Sequence, residues 1–191
     1  MTQALQLIAG LGNPGPEYDQ TRHNAGFWFL DELARRHGGH FRTEARFTGE
    51  VCRVVIDGHQ VWLLKPMTYM NRSGQSLRHF AAFYKIPPEQ ILVAHDEIDL
   101  PPGTTRFKRG GGHGGHNGLR DIIAQLGKEF WRLRLGVGHP GHREQVVDYV
   151  LSRPSKADRE LIEADIARAA DLVDGMIRGD FERAMHSLHT A

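Results

Sequence analysis

Two polar side chains that could move a proton each follow a short apolar run of the sequence. His23 comes shortly after the run that ends at Gly10, and Asp96 closes the run that begins at Ile91. A histidine can take a proton from water, and a carboxylate behind the ring fixes its tautomer and stabilises the imidazolium that forms. Because parallel strands end at one edge of an open sheet, we expect His23 and Asp96 to meet there. The pair predicts attack of an activated water on an acyl carbon.

The sequence disfavours a covalent mechanism and an oxidised compartment. No G-x-S-x-G sequence presents a nucleophilic serine, and the single cysteine, Cys52, lies within a predicted strand. One cysteine excludes an internal disulfide and leaves no Cys/His zinc spacing. The first residues have no basic stretch before their short apolar run, unlike a signal peptide or membrane span. We therefore expect a cytoplasmic protein that does not enter a membrane.

A glycine-rich segment, GLGNPG at residues 10–15, matches the dinucleotide-binding pattern G-x-G-x-x-G. Pro14 and Pro16 prevent a helix from opening there, and no second strand ends in an acid about twenty residues later. We therefore disfavour a nicotinamide cofactor and expect none. The tight loop instead places Asn13 at the carboxyl end of a strand, where open α/β sheets bind ligands.

A second glycine-rich segment, GGGHGGHNG at residues 110–118, allows two interpretations. His113 and His116 are three residues apart, as in some metal sites, but no third ligand stands near them, so we expect no metal. Backbone N–H groups and a helix beginning at Asn117 could instead approach an anion or a sugar, with Lys108 and Arg109 adding charge. The segment predicts phosphate recognition.

Charge is unevenly distributed along the chain. The whole protein has a net charge of +1, but residues 101–143 hold eight Lys or Arg and two acidic residues, a local charge of +6. This segment favours a phosphate-bearing partner held locally, and the near-neutral whole disfavours general nucleic-acid coating. A solvated basic face is the alternative that composition alone leaves open.

Length and pattern predict one α/β domain over residues 1–191. The chain has 191 residues, 40% of them hydrophobic and 25% charged, which is ordinary for a globular domain. Apolar runs and turn residues predict strands at 3–10, 46–56, 60–64, 91–94, 104–108 and 130–137. Helical spacing after Asn24 and over 73–84, 117–126, 156–176 and 180–188 predicts five helices, with Asn117 capping the third. Asp57 and Gly58, between two of these strands, indicate a β-hairpin with a primed turn. The predicted fold is therefore an α/β domain with a mixed β-sheet.

Taken together, the loop sequences resemble one family, the bacterial-type peptidyl-tRNA hydrolases. The match keeps its order along nearly the whole chain. It comprises GLGNPG (10–15), Tyr18, TRHNAG (21–26), KPMTYMNRSG (65–74), DEIDLP (96–101), GGGHGGHNGL (110–119) and FWRLRLGVGHP (130–140). Several motifs in one order are more specific than any of them alone.

The resemblance implies hydrolysis of the ester that joins a peptide to the 3′-terminal adenosine of tRNA. By position, His23 resembles the base that activates water, and Asp96 resembles its orienting partner. Asn13 resembles an amide that contacts the peptide main chain, so that aminoacyl-tRNA with a free α-amino group is spared. An unpaired polar group at such a contact discriminates strongly between substrates.

The resemblance also implies a binding surface for tRNA. The residues that match the family's tRNA-binding positions fall into three groups: amides that position the substrate or face the oxyanion, aromatic rings near the acceptor end, and basic residues that bind the 5′-phosphate. They are Asn71 and Asn117, Tyr18 and Tyr69, and Lys108 and Arg134, with His116 as a helper behind the catalytic pair. The resemblance further implies a phosphorylase/hydrolase-like fold, with helices on both faces of the mixed sheet, and a monomer that uses no metal. The sequence leaves open which of the three asparagines faces the oxyanion, and an RNA-binding protein without catalysis is the alternative function.

Overall fold

The structure is a computed structural model that describes residues 3–190. Its centre is one seven-stranded sheet in the order β2-β3-β4-β1-β5-β7-β6. The strands are β1 Leu7–Gly10, β2 Arg42–Glu44, β3 Gly49–Ile56, β4 His59–Pro66, β5 Ile91–Glu97, β6 Thr105–Arg109 and β7 Trp131–Gly136. Strands β4, β1, β5 and β7 are parallel to one another, while β2, β3 and β6 pair antiparallel at the two edges. The sheet is therefore mixed, as predicted.

Helices cover both faces of the sheet. They are α1 Ala25–Arg36, α2 Ser73–Tyr84, α3 Asn117–Leu126, α4 Val146–Val150, α5 Lys156–Arg178 and α6 Phe181–His189. One core joins α1, α5 and α6 to the face that carries Ile8, Leu92 and Leu133. The other core joins α2 and α3 to the face that carries Leu7 and Val93. Two cores on opposite faces confirm the predicted α/β architecture with helices on both sides.

Most predicted elements appear within a few residues of their expected bounds. The primed turn predicted at Asp57 and Gly58 is present, with φ of 52° and 77°. The short strand β2 at Arg42–Glu44 was not predicted, because its polar side chains show no apolar alternation. The strand predicted from residue 46 begins only at Gly49, since Ala45–Phe47 forms a helical turn. The short apolar stretch at residues 146–151, for which no helix was predicted, contains the helix α4.

Glycines let α1 cross the ends of two strands at close range. A Cβ on Gly10 would stand 2.4 Å from the Gly26 carbonyl oxygen, and a Cβ on Gly26 would stand 2.4 Å from the Ala94 carbonyl oxygen. Any side chain at either position would force the backbones apart. The glycines of GLGNPG thus bring the turn that carries His23 down onto the ends of β1 and β5.

None of the helices in residues 3–190 is both apolar enough and long enough to span a bilayer.

Candidate active site

A cavity of about 800 Å³ opens at the carboxyl ends of the parallel strands. This is where an open α/β sheet is expected to bind a ligand. Eight of the ten predicted site residues line it: Asn13, Tyr18, His23, Tyr69, Asn71, Asp96, His116 and Asn117. Lys108 and Arg134 do not line it, and they lie on β6 and β7 beyond the glycine-rich segment.

At the floor of the cavity, one carboxylate holds two histidines. The Asp96 Oδ2 atom lies 2.8 Å from His23 Nδ1, and Asp96 Oδ1 lies 2.8 Å from His116 Nε2. With Nδ1 protonated and donating to Asp96, the Nε2 atom of His23 keeps its lone pair, and no protein group in the described chain bonds to it. The His23 side chain is 12% exposed and reaches the cavity. This is the arrangement of a general base with its orienting partner.

The backbone determines the tautomer of His116. Its Nδ1 atom accepts hydrogen bonds from the N–H groups of Gly118 and Leu119, at 3.1 and 3.2 Å. The proton of a neutral ring must therefore sit on Nε2, from which it is donated to Asp96. His116 thus supports the carboxylate, and the first turn of α3 keeps its ring in place.

The same contacts correct one prediction. Asn117 was expected to cap α3, but the structure has His116 at the N-cap and Asn117 as the first helical residue. An imidazole nitrogen can accept from the free N–H groups of a first turn as an asparagine oxygen does. The Asn117 amide is consequently left exposed on the cavity wall.

Burial and charge act in opposite directions on Asp96. The side chain is 1% exposed, and burial alone would raise the pKa of its carboxyl. The charges and hydrogen bonds of His23 and His116 outweigh burial and hold the pKa of Asp96 well below its usual range. Asp96 is therefore ionised at neutral pH and stabilises a proton that arrives on His23.

The ligand atoms of His23, Asp96 and His116 all lie within 4.8 Å of one another, a spacing that a metal ion could use. A metal on His116 Nε2 would require that ring's proton to move to Nδ1, where it would face the Gly118 and Leu119 N–H groups. The donor set therefore fits a hydrogen-bonded relay better than a cation site. His113, considered in the sequence as a ligand, accepts instead from the N–H of Gly115.

The amide of Asn13 has a defined orientation. Its Oδ1 atom accepts a 2.8 Å hydrogen bond from the Met70 backbone N–H. The side chain of Asn24 brackets the Asn13 backbone, accepting from its N–H at 2.9 Å and donating to its carbonyl at 3.0 Å. Since Oδ1 faces a donor, Nδ2 is the group that Asn13 turns toward the cavity. Asn13 therefore offers a hydrogen-bond donor to a ligand.

The other two amides lie near the starts of α2 and α3, and both line the cavity. Asn71 lies in the turn Met70–Arg72 that precedes α2, and it is exposed like Asn117. The Asp121 carboxylate of α3 accepts from the Gly74 N–H at 2.7 Å and so ties the start of α2 to α3. Tyr69 is 62% exposed on the rim and Tyr18 is half-buried. Both rings present a face on which a base or a sugar could pack.

A third histidine behind the pair went unnoticed in the sequence. His95 is 1% exposed, and its Nδ1 atom donates to the Asp96 carbonyl at 2.8 Å. Burial, and secondarily His116, lowers the pKa of His95 to about 3. The ring is therefore neutral at neutral pH, and it adds no second positive charge beside His23.

One wall of the cavity is apolar and was also missed. It is formed by Val146, Val147 and Val150 on α4, by Leu151 directly after α4, and by Ile98. Arg22, which directly precedes His23 in the sequence, contacts α4 of this wall. Its guanidinium donates to the Tyr149 carbonyl at 3.0 Å and stacks 3.8 Å from the Tyr149 ring centre. No local pattern in the sequence links residues 22 and 149.

Known proteins similar to this chain point in one direction. A family model described as peptidyl-tRNA hydrolase matches residues 7–191. A relative from Halorhodospira halophila named peptidyl-tRNA hydrolase is 61% identical over 186 residues, which is 97% of this chain and 96% of the relative.

Solved structures agree with the sequence comparison. The crystal structure of peptidyl-tRNA hydrolase from Acinetobacter baumannii superposes with a TM-score of 0.96 at 50% identity, covering 99% of this chain and 96% of that one. Purine nucleoside phosphorylase from Toxoplasma gondii shares the fold only, with a TM-score of 0.51 at 8% identity over 97% of this chain and 93% of that one. The chain therefore belongs to the peptidyl-tRNA hydrolase family.

Proposed function

We propose that the protein hydrolyses the ester between a peptide and the 3′-terminal adenosine of tRNA, with His23 as general base and Asp96 as its orienting partner. The observation that carries this proposal is the relay in which Asp96 binds both His23 and His116 at 2.8 Å. The relay leaves His23 Nε2 free to accept a proton at the floor of the cavity.

In the first step, water loses a proton to His23 Nε2 and its oxygen bonds to the ester carbonyl carbon. Asp96, ionised and buried, stabilises the resulting imidazolium. The tetrahedral intermediate then breaks its bond to the 3′-oxygen, which takes the proton from His23. The products are a tRNA with a free 3′-hydroxyl and a peptide carboxylic acid, which releases its remaining proton to solvent and becomes a carboxylate. An alkoxide leaves more readily than an amine, so no covalent enzyme intermediate is required.

Donors around the cavity supply the second contribution. General-base assistance is worth about 10² to 10⁴ in rate and one oxyanion donor about 10² to 10³. Asn13 presents Nδ2 from a buried and hydrogen-bonded amide, whereas Asn71 and Asn117 are exposed. The best-ordered donor is the one most able to stabilise charge in the transition state, so we assign Asn13 to the acyl oxygens near the ester.

The Asn13 donor also accounts for sparing of aminoacyl-tRNA. A blocked α-nitrogen carries a carbonyl oxygen that can accept from Nδ2, whereas a free α-ammonium is itself a donor. If Nδ2 and the α-ammonium face each other in a buried site, neither donor has an acceptor. This discriminates strongly against aminoacyl-tRNA with a free amine.

The remaining parts of tRNA would be held outside the cavity. The acceptor end would lie against Tyr18 and Tyr69, and the 5′-phosphate against Lys108 and Arg134. The Arg134 Nε atom lies 2.9 Å from Glu97 Oε1, so the guanidinium is already oriented. Neither Lys108 nor Arg134 lines the cavity. This agrees with the 5′-phosphate being bound apart from the 3′-terminal adenosine, which enters the cavity.

We further propose that residues 1–191 act as one catalytic domain and as a monomer, without a metal and in the cytoplasm. Every group of the relay comes from one chain, so no second copy is needed to complete it.

The test uses N-acetyl-aminoacyl-tRNA and the same aminoacyl-tRNA without the acetyl group, with a chelator present. We expect the protein to release the acyl group from the blocked substrate only. The variant His23→Gln should lower kcat by at least about a hundredfold while KM changes little, because the base is lost and the binding surface is kept.

Three outcomes would contradict the proposal. Release of neither acyl group would leave an RNA-binding protein without catalysis. Loss of activity with the chelator, restored by added metal, would contradict the metal-free mechanism. Equal kcat for the wild type and His23→Gln would remove His23 as the base.

A further inference from the structure

The register of β6 and β7 gathers four cations on one face of the sheet. Lys108 is paired directly with Arg132, and Arg106 directly with Arg134. Residues directly opposite each other in an antiparallel pair point to the same face, and like charges there are destabilising. Among the ion pairs of residues 3–190, Arg134 is the only one of the four with a carboxylate partner, Glu97. The excess of positive charge favours a bound anion on this face.

Arg132 differs from the other three because it is buried. It is 2% exposed, and its guanidinium lies 4.4 Å from the Phe130 ring centre. Burial, and secondarily the nearby Arg134, lowers the pKa of Arg132 to about 10, so the group is still charged at neutral pH. A buried cation without a carboxylate partner must be stabilised by other acceptors.

Those acceptors belong to the glycine-rich segment. Arg132 donates to the Gly111 carbonyl at 2.6 Å and also to the Gly112 carbonyl. Its Nε atom is buried without a partner. The planar fork of a guanidinium suits two successive carbonyls, which a lysine ammonium cannot hold in the same way. Gly111 has a φ of +102°, a conformation that a side chain would strain.

Holding these carbonyls turns the next N–H groups outward. In a trans peptide, the carbonyl of one residue and the N–H of the following residue point in opposite directions. The N–H groups of Gly112 and His113 therefore point away from Arg132, and neither donates a hydrogen bond within the described part of the chain. The Lys108 ammonium lies beside the preceding residue Gly111, 3.0 Å from where a Cβ on that glycine would stand. Free N–H groups beside a cation form an anion-binding concavity.

We infer that Arg132 is a positioning residue for an anion site made of the Gly112 and His113 N–H groups and Lys108. Identifying the anion as the 5′-phosphate of tRNA rests on the proposed function. Arg132 itself does not touch the phosphate. It fixes the peptide planes that do, and the unpaired cross-strand cations supply the surrounding positive potential.

The kinetic test compares Arg132→Lys with Arg106→Gln on N-acetyl-aminoacyl-tRNA, with and without its 5′-phosphate. Arg132→Lys keeps the charge and loses the fork, so we expect it to raise KM for the phosphorylated substrate about tenfold, with kcat nearly unchanged. Its KM for the dephosphorylated substrate should equal that of the wild type. Arg106→Gln removes a charge without touching the glycine segment, so it should weaken the salt dependence of KM more than Arg132→Lys does.

An equal rise in KM for both substrates would overturn the inference, because Arg132 would then be a general structural residue. An unchanged KM for the phosphorylated substrate would overturn it as well, because charge alone would explain the site.

A second measurement needs no variant and no catalysis. Backbone amide resonances of the wild type are followed by NMR while a short acceptor-stem RNA hairpin is added, with either a 5′-phosphate or a 5′-hydroxyl. We expect the Gly112 and His113 amides to shift only with the 5′-phosphate. Shifts absent from both amides would refute the anion site even if hydrolysis is confirmed. Shifts present in a protein that does not hydrolyse would keep the anion site and reject the proposed function.

Discussion

Because the Asn13 amide has a defined orientation, replacing its NH₂ group by an oxygen tests whether Asn13 acts as a hydrogen-bond donor. In Asn13→Asp, one carboxylate oxygen can still accept from the Met70 N–H, as Oδ1 does at 2.8 Å. The bonds between the Asn13 backbone and Asn24 do not involve the changed atoms. The fold should therefore be kept, while the donor that faces the cavity becomes a negatively charged acceptor.

The magnitude follows from the contact that is lost. Asn13 is 6% exposed, so its donor acts in a site largely shielded from water. Removing one such donor from a developing oxyanion costs about 2.7 to 4 kcal/mol, or about 10² to 10³ in rate. We expect kcat/KM for the blocked substrate to fall by that factor. A carboxylate would attract a free α-ammonium, so the preference for blocked over free aminoacyl-tRNA should fall by more than about a hundredfold.

The assay measures initial rates of acyl release from the acetylated and the free aminoacyl-tRNA, corrected for spontaneous hydrolysis. The matched control is Asn71→Asp, which introduces the same charge at an exposed residue on the cavity wall. The control should change the preference less, because no hydrogen bond within residues 3–190 orients the Asn71 amide. The donor assignment is wrong if Asn13→Asp keeps the rate and the preference of the wild type. It is also wrong if kcat/KM falls by the same factor for both substrates while Tm is unchanged.

Two further predictions concern charge. Burial lowers the pKa of His95 to about 3 from the usual 6.5 of a histidine, so the unfolded chain binds a proton there at a higher pH than the folded protein does. The free energy of unfolding should therefore decrease by up to about 1.4 kcal/mol per pH unit as pH falls from about 6.5 toward 3. His95→Asn should remove this contribution to the dependence of the free energy of unfolding on pH, which urea titrations at several pH values measure. Parallel slopes for the two proteins would contradict this. For the exposed Lys108, the change to alanine should lower the slope of log KM against log salt by about one, and an unaltered slope would exclude a phosphate contact.

Local sequence was sufficient for most of the framework. Glycine and proline mark the loops at residues 10–15 and 110–118 because they act on their own backbone. Apolar runs such as residues 91–94, which lie in the strand Ile91–Glu97, reveal buried strands because both faces of a central strand are covered. The exception, Arg42–Glu44, is an edge strand whose polar side chains carry no such pattern.

The sequence by itself also determined which residue types stand at the strand ends, and therefore that His23, Asp96 and Asn13 would share one rim. Only the tertiary structure decided how they act. His23 and Asp96 are 73 residues apart, and Asp96 is 20 residues from His116, the second histidine that it binds. The direction of the Asn13 donor depends on Met70, and the four cations depend on the pairing of β6 with β7. These properties arise from contacts between distant segments, which local patterns of polarity and spacing do not encode.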